Sequence, residues 1–212
     1  MKSSNLVIIN VIVILLIVAG GGAAIYYYNQ SINYITTDNA KVDGQAVAIA
    51  ASESGALSSW NGSVGQTFRS GQTIGTVRSD RGTVNINTPA TGTIVQQNVV
   101  VNSIVGAGVT LARAYDLDNL WVTANIKETQ INDIKVNQSV DVYVDAYSGT
   151  TLTGKISEIG LATAGTFSLL PTSNTTGNYT KVTQVIPISI KLDGYKGLTL
   201  APGMSATVRI HK

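Results

Sequence analysis

The chain has 212 residues, 44% hydrophobic and 12% charged, about half the charged fraction of an average soluble domain, which suggests an extracytoplasmic or membrane-associated protein. It contains no cysteine and one histidine, His211. Disulfide frameworks, Cys-ligated zinc, iron–sulfur clusters and Cys nucleophiles are therefore excluded, and neither a Ser-His-Asp triad nor a multi-His metal site is expected. A net charge of +2, thinly spread, does not make a nucleic-acid-binding surface. The length allows one or two small domains.

Residues 3 to 37 carry no charged side chain, and Leu6 to Tyr28 (LVIINVIVILLIVAGGGAAIYYY) is a continuous apolar run. As a helix these residues reach about 34 Å, enough for a hydrocarbon core of about 30 Å. Residues 6–28 are expected to form a transmembrane anchor, with Tyr26, Tyr27 and Tyr28 as an interfacial belt. The alternative is a cleaved signal peptide, with small residues at Ala19 to Ala24 for cleavage. Lys2, the only charge on the first flank, assigns residues 1–5 to the cytoplasm and the bulk of the chain to the outside. Residues 29–36 read as a linker.

Beyond Asp38 no sustained 3.6-residue apolar period is present. Short alternating or β-branched runs recur between Gly-rich turns, as in Val140 to Val144 (VDVYV), Leu152 to Ile156 (LTGKI), Ile186 to Ile190 (IPISI) and Ala206 to Ile210 (ATVRI). This is the pattern of small β-barrels and sandwiches. One helical turn is expected over Lys127 to Ile134.

The chain also repeats itself at a constant offset of 37: Ile49 matches Ile86, Gly55 matches Gly92, Leu57 matches Ile94, Phe68 matches Val105, Gly71 matches Gly108 and Ile74 matches Leu111. Gly55, Gly71, Gly92 and Gly108 are expected to supply the positive φ at which one strand turns into the next. The flanking apolar positions should form one buried face. Each copy is too small to bury a core alone, so the two should pack as one domain, with half-motifs at 47–77 and 84–114.

The duplicated G-x-[LI]…[FV]-x-x-G-x-x-[IL] pattern resembles the two halves of a biotinyl/lipoyl-like domain. The hairpin between them, Val77 to Thr83 (VRSDRGT), has no lysine, which argues against a swinging-arm carrier. Three further stretches resemble the HlyD/EmrA family of membrane fusion proteins, or periplasmic adaptor subunits. Thr37 to Gly44 (TDNAKVDG) is similar to the strand leading into that family's barrel, and Leu120 to Ile131 (LWVTANIKETQI) to its next barrel strand and short helix. Phe167 to Ile188 (FSLLPTSNTTGNYTKVTQVIPI), with Leu200 to Ser205 (LAPGMS) behind it, resembles the EmrA branch.

The resemblance implies a mainly β fold. A lipoyl-like module at 47–114 is inserted into a small β-barrel formed by 37–46 and 115–212, behind the anchor helix. Members that meet an outer-membrane duct carry a long α-helical hairpin between the lipoyl halves. Here about nine residues separate Val77 from Ile86, so no coiled-coil hairpin fits. A loop this short projects about 10 to 15 Å, which speaks against docking to a TolC-like channel and favours a single-membrane envelope.

No catalytic residue, cofactor site or metal ligand is assigned. Asp116 with Asp118, and Asp141 with Asp145, fall short of the six to eight oxygen ligands of calcium. Candidate partner contacts are Phe167, Leu169 and Leu170 in a partly apolar loop, which would otherwise cap the barrel end. Lys127, Glu128 and Gln130 form a second candidate, as a helix start facing a transporter or neighbouring subunit, or else as a solvated turn. The resemblance implies a non-enzymatic adaptor of a multidrug efflux transporter, of major facilitator type or ATP-driven, that self-associates. The other reading is a free-standing cell-surface binding or structural module.

Overall fold

The computed structural model describes residues 11–22, 25, 32–167 and 183–212. Val11 to Gly22 are helical with exposed side chains. No helix among the described residues is long and apolar enough to cross a membrane; the expected anchor at 6–28 lies partly outside them.

In chain order the strands are β1 (Tyr34–Asp43), β2 (Ala46–Ala50), β3 (Gly55–Trp60), β4 (Thr67–Phe68), β5 (Thr73–Ser79), β6 (Gly82–Asn87), β7 (Gly92–Gln97), β8 (Ile104–Val105), β9 (Thr110–Tyr115), β10 (Trp121–Lys127), β11 (Ser139–Val144), β12 (Thr151–Ile159), β13 (Val185–Leu192) and β14 (Ser205–His211). Six of them close an antiparallel barrel in the order β1-β10-β13-β12-β11-β14, with β14 returning to β1. Alternation decides which side chains face inward. Val122, Ala124 and Ile126 of β10, Val140, Val142 and Val144 of β11, and Ala206, Val208 and Ile210 of β14 are all buried in one apolar cluster.

The strands between β1 and β10 form a separate module with its own core. Every strand of its first half recurs 37 positions later, β2 as β6, β3 as β7, β4 as β8 and β5 as β9. Its two sheets have the orders β2-β9-β7-β4 and β6-β5-β3-β8, so each takes two strands from each half. This interlocking physically ties the halves together, since neither sheet can form from one copy. Leu57, Phe68 and Ile74, and their counterparts Ile94, Val105 and Leu111, are all buried in the shared core. The repeat extends to single hydrogen bonds: the Gly71 amide donates to the Thr88 carbonyl at 2.7 Å and the Gly108 amide to the Ala51 carbonyl at 2.8 Å.

The expectation that all four repeat glycines serve positive φ needs correction. Gly71 and Gly108 both have φ +77, where a side chain is strained. Gly55 and Gly92 instead open strands, and what they need is room. A Cβ at Gly55 would collide with the Arg78 carbonyl oxygen, and one at Gly92 would lie 3.0 Å from that of Tyr115. Gly65 (φ +87) and Asn102 (φ +71) are a further left-handed pair 37 apart. Between the halves, β5 and β6 are joined by a turn over Asp80 and Arg81, with Ser79 paired to Gly82.

Candidate docking rim of the barrel

The barrel has two unlike ends. The lipoyl-like module leaves after Asp43 and returns before Trp121, residues that pair across β1 and β10. At the other end Tyr34 pairs with His211, and the Lys212 amide donates to the carbonyl of Asn33 at 2.9 Å. The chain thus enters the barrel from the N-terminal helical segment at one rim and meets the lipoyl-like module at the other.

Antiparallel pairing dictates which loops share the first rim. β10 ends there and β13 begins there, with Lys127 opposite Val185. The expected helical turn is a 3-10 helix, Glu128–Asp133, with no buried residue. Lys127 and Glu128 are exposed, Gln130 and Ile131 half-buried, and Ile134 behind them is buried in the barrel core. The following amides are satisfied locally, since the Gln138 side chain accepts from Lys135 N–H at 2.7 Å and donates to the Asp133 carbonyl at 3.1 Å. The helix is pinned by the Lys212 ammonium, 2.8 Å from the Asp133 carboxylate.

The loop joining β12 to β13 opens at the same rim. Leu161 is fully exposed there, and a second short 3-10 helix spans Ala164–Phe167. Leu169 and Leu170, and the side chain of Phe167, lie outside the described residues. The 3-10 helix after β10 meets the end of this loop where the Glu128 amide donates to the Gln184 carbonyl at 2.9 Å. The 3-10 helix after β10 and the described ends of the β12–β13 loop therefore lie at one rim. The repeat glycines belong to the other module.

The barrel wall near this rim brings together residues that the sequence reading did not connect. The Arg209 guanidinium lies between the rings of Tyr34 and Tyr143, 5.2 Å and 5.7 Å from their centroids. His211 Nε2 is 3.0 Å from an Asp141 carboxylate oxygen. Strand alternation around Val208 and Ile210 was the available signal, because it turns Arg209 and His211 outward together.

Family comparisons divide the chain where the structure does. A family model described as "YhbJ, barrel-sandwich hybrid domain" matches residues 45–116, and one described as "YknX-like beta-barrel domain" matches residues 120–210. YhbJ of Bacillus subtilis, whose name describes an efflux system component, is 47% identical over 210 residues, covering 99% of this chain and 94% of that protein. The multidrug export protein EmrA of Haemophilus influenzae is 36% identical over 128 residues, covering 59% of this chain but 33% of that protein, so the chain spans about a third of the EmrA-type relative. Among solved structures, MacA of Actinobacillus actinomycetemcomitans superposes with a TM-score of 0.67 at 13% identity, over 84% of this chain and 79% of that one. The periplasmic adaptor protein EmrA gives 0.55 at 11% identity, over 85% and 99%. At such identities the likeness is one of fold. Identity along nearly the whole of an efflux component, with both modules matched, decides the relationship: the chain belongs to the membrane fusion protein family of efflux-pump adaptors, which are not enzymes.

Proposed function

We propose that this chain is a membrane-anchored extracytoplasmic adaptor of a multidrug transporter of major facilitator type, docked through the barrel rim that carries Lys127, Glu128, Gln130 and the loop containing Phe167, Leu169 and Leu170. The observation that carries this reading is the pairing of Lys212 with Asn33. It supports the reading because the rim it marks, into which the apolar N-terminal segment leads, is the one where β10 passes into the 3-10 helix and where the β12–β13 loop opens. With residues 6–28 in the bilayer and residues 1–5 in the cytoplasm, that rim faces the membrane and any transporter beside it. The two-residue turn at Asp80 and Arg81 supports a pump without an outer-membrane duct.

Self-association is part of the proposal, and the repeat supplies an internal comparison for it. Around β8 the side chains of Val100, Val101, Ile104 and Val109 are exposed, Ile104 at 89% and Val100 at 74%. The positions 37 earlier are Ser63, Val64, Thr67 and Gln72. The same backbone geometry is served by mostly polar residues in the first half, so folding does not require the apolar set in the second. Exposed apolar patches mark interaction sites.

Purification of the tagged full chain from native membranes, followed by mass spectrometry, tests the reading. Recovery of a polytopic transporter, together with raised drug susceptibility on deletion, is expected. Unchanged susceptibility and no co-purifying transporter would defeat it and favour a free-standing surface module.

A further inference from the structure

On the outer wall of the barrel, where β10, β12 and β13 approach the return crossing from the lipoyl-like module, lies an open cleft of about 750 Å3. Small-molecule sites commonly measure about 300–1,000 Å3. The cleft is at the end opposite the docking rim. Its aromatic surface comes from Trp121 and Tyr195, and both side chains are held in place. The Trp121 indole N–H donates to Thr123 Oγ1 at 3.2 Å, and the Tyr195 hydroxyl accepts the Leu120 amide at 2.6 Å.

Three carboxylates, Asp118, Glu158 and Asp193, line the cleft against one ammonium, Lys191. Among the described residues none of these four side chains forms an ion pair, and the three salt bridges present lie elsewhere. The cleft therefore carries a surplus of two negative charges. Lys155, opposite Lys191 in register, faces the smaller adjoining hollow beside Asn137. The carboxylates come from three separate segments: the crossing, β12 and the loop after β13. A β-bulge between Ile156 and Glu158 interrupts alternation in β12, so Ser157 and Glu158 are both exposed and both line the cleft. Bulges commonly re-aim a side chain beside a site in this way.

We propose that this cleft binds a small organic cation with an aromatic or lipophilic body. Trp121 and Tyr195 offer ring faces that attract a cation through their quadrupoles and cover its apolar surface. The uncompensated carboxylates then select positive over negative charge. The proposal rests on the cleft alone and does not require the transporter reading.

The test is a titration of the full chain in nanodiscs of zwitterionic lipid, with empty nanodiscs as the blank. The probes are tetraphenylphosphonium and its anionic isostere tetraphenylborate. Saturable binding of the phosphonium is expected, at least about tenfold tighter than of the borate. Glu158 and Asp193 are exposed, so the double variant Glu158→Gln, Asp193→Asn should unfold at the parent temperature yet bind the phosphonium about tenfold more weakly. Trp121→Ala should likewise weaken phosphonium binding several-fold, through loss of the ring face. Absence of saturable phosphonium binding, equal affinity for the borate, or unchanged affinity in the double variant overturns the proposal.

Discussion

The amide of Lys212 donates to the carbonyl of Asn33 at 2.9 Å, fastening the residue after β14 to the residue before β1. This bond closes the barrel at the rim that receives the N-terminal segment. β1 then runs ten residues to Asp43, about 33 Å of strand at 3.3 Å per residue, and delivers the chain to the lipoyl-like module at the opposite rim. The barrel thus has two distinct rims, one reached directly from the N-terminal segment and the other joined to the lipoyl-like module.

The 3-10 helix after β10 buries no side chain, so its sequence is free to serve a partner. The triple variant Lys127→Glu, Glu128→Lys, Gln130→Ala should stay within about 0.5 kcal/mol of the parent in denaturant unfolding, as surface substitutions do. Transporter recovered in a pull-down should fall several-fold. Parent-level recovery would remove this rim from the docking surface.

The repeat glycines should respond unequally to alanine. Gly55→Ala drives a methyl into the Arg78 carbonyl oxygen, and overpacking against backbone costs about 1–3 kcal/mol or more. At Gly108 a Cβ meets nothing within 4 Å, so only the left-handed backbone is penalised, at about 1–2 kcal/mol. Thermal unfolding should show the greater loss for Gly55→Ala. The reverse order would contradict the close-approach role.

Tyr195 holds the return crossing. Its hydroxyl accepts the amide of Leu120 at 2.6 Å, Leu120 is buried, and a Cβ added at Gly44 on the outgoing crossing would sit 2.6 Å from Leu120 Cδ2. Tyr195→Phe leaves that amide without its partner, which costs about 1–2 kcal/mol. Calorimetry should register the loss, and amide exchange at Leu120 should accelerate. Unaltered exchange there would show that the crossing is held by packing alone.

Self-association should depend on the exposed residues around β8. Val100→Ser with Ile104→Ser should leave unfolding close to the parent and weaken association about tenfold or more, since aliphatic anchors each contribute about 1 kcal/mol or more when covered. Sedimentation of the detergent-solubilised chain reads the difference. Unchanged association would place the contact elsewhere.

The β character and the duplication were legible because both leave local marks. Alternation separates Val122, Ala124 and Ile126 from the outward residues between them, and a fixed offset pairs Leu57 with Ile94. Both members of that pair are buried. Long-range pairing leaves no such mark. That β2 lies beside β9 rather than a strand of its own half, and that β14 closes on β1, depend on strands far apart in the chain. Sequence also identifies a glycine without distinguishing a need for positive φ, as at Gly71, from a need for space, as at Gly55. The outward position of Trp121 follows from its place before buried Val122, but the cleft beside it requires the bulge at Glu158, which breaks the alternation used to read the strand.

Site-specific photo-crosslinking in native membranes tests the central claim most directly, with a photoreactive residue at Gln130 on the proposed docking rim or at Arg81 in the β5–β6 turn. The account predicts a crosslink to a polytopic transporter from position 130 and none from position 81. A transporter crosslink from position 81 but not from position 130 would contradict it.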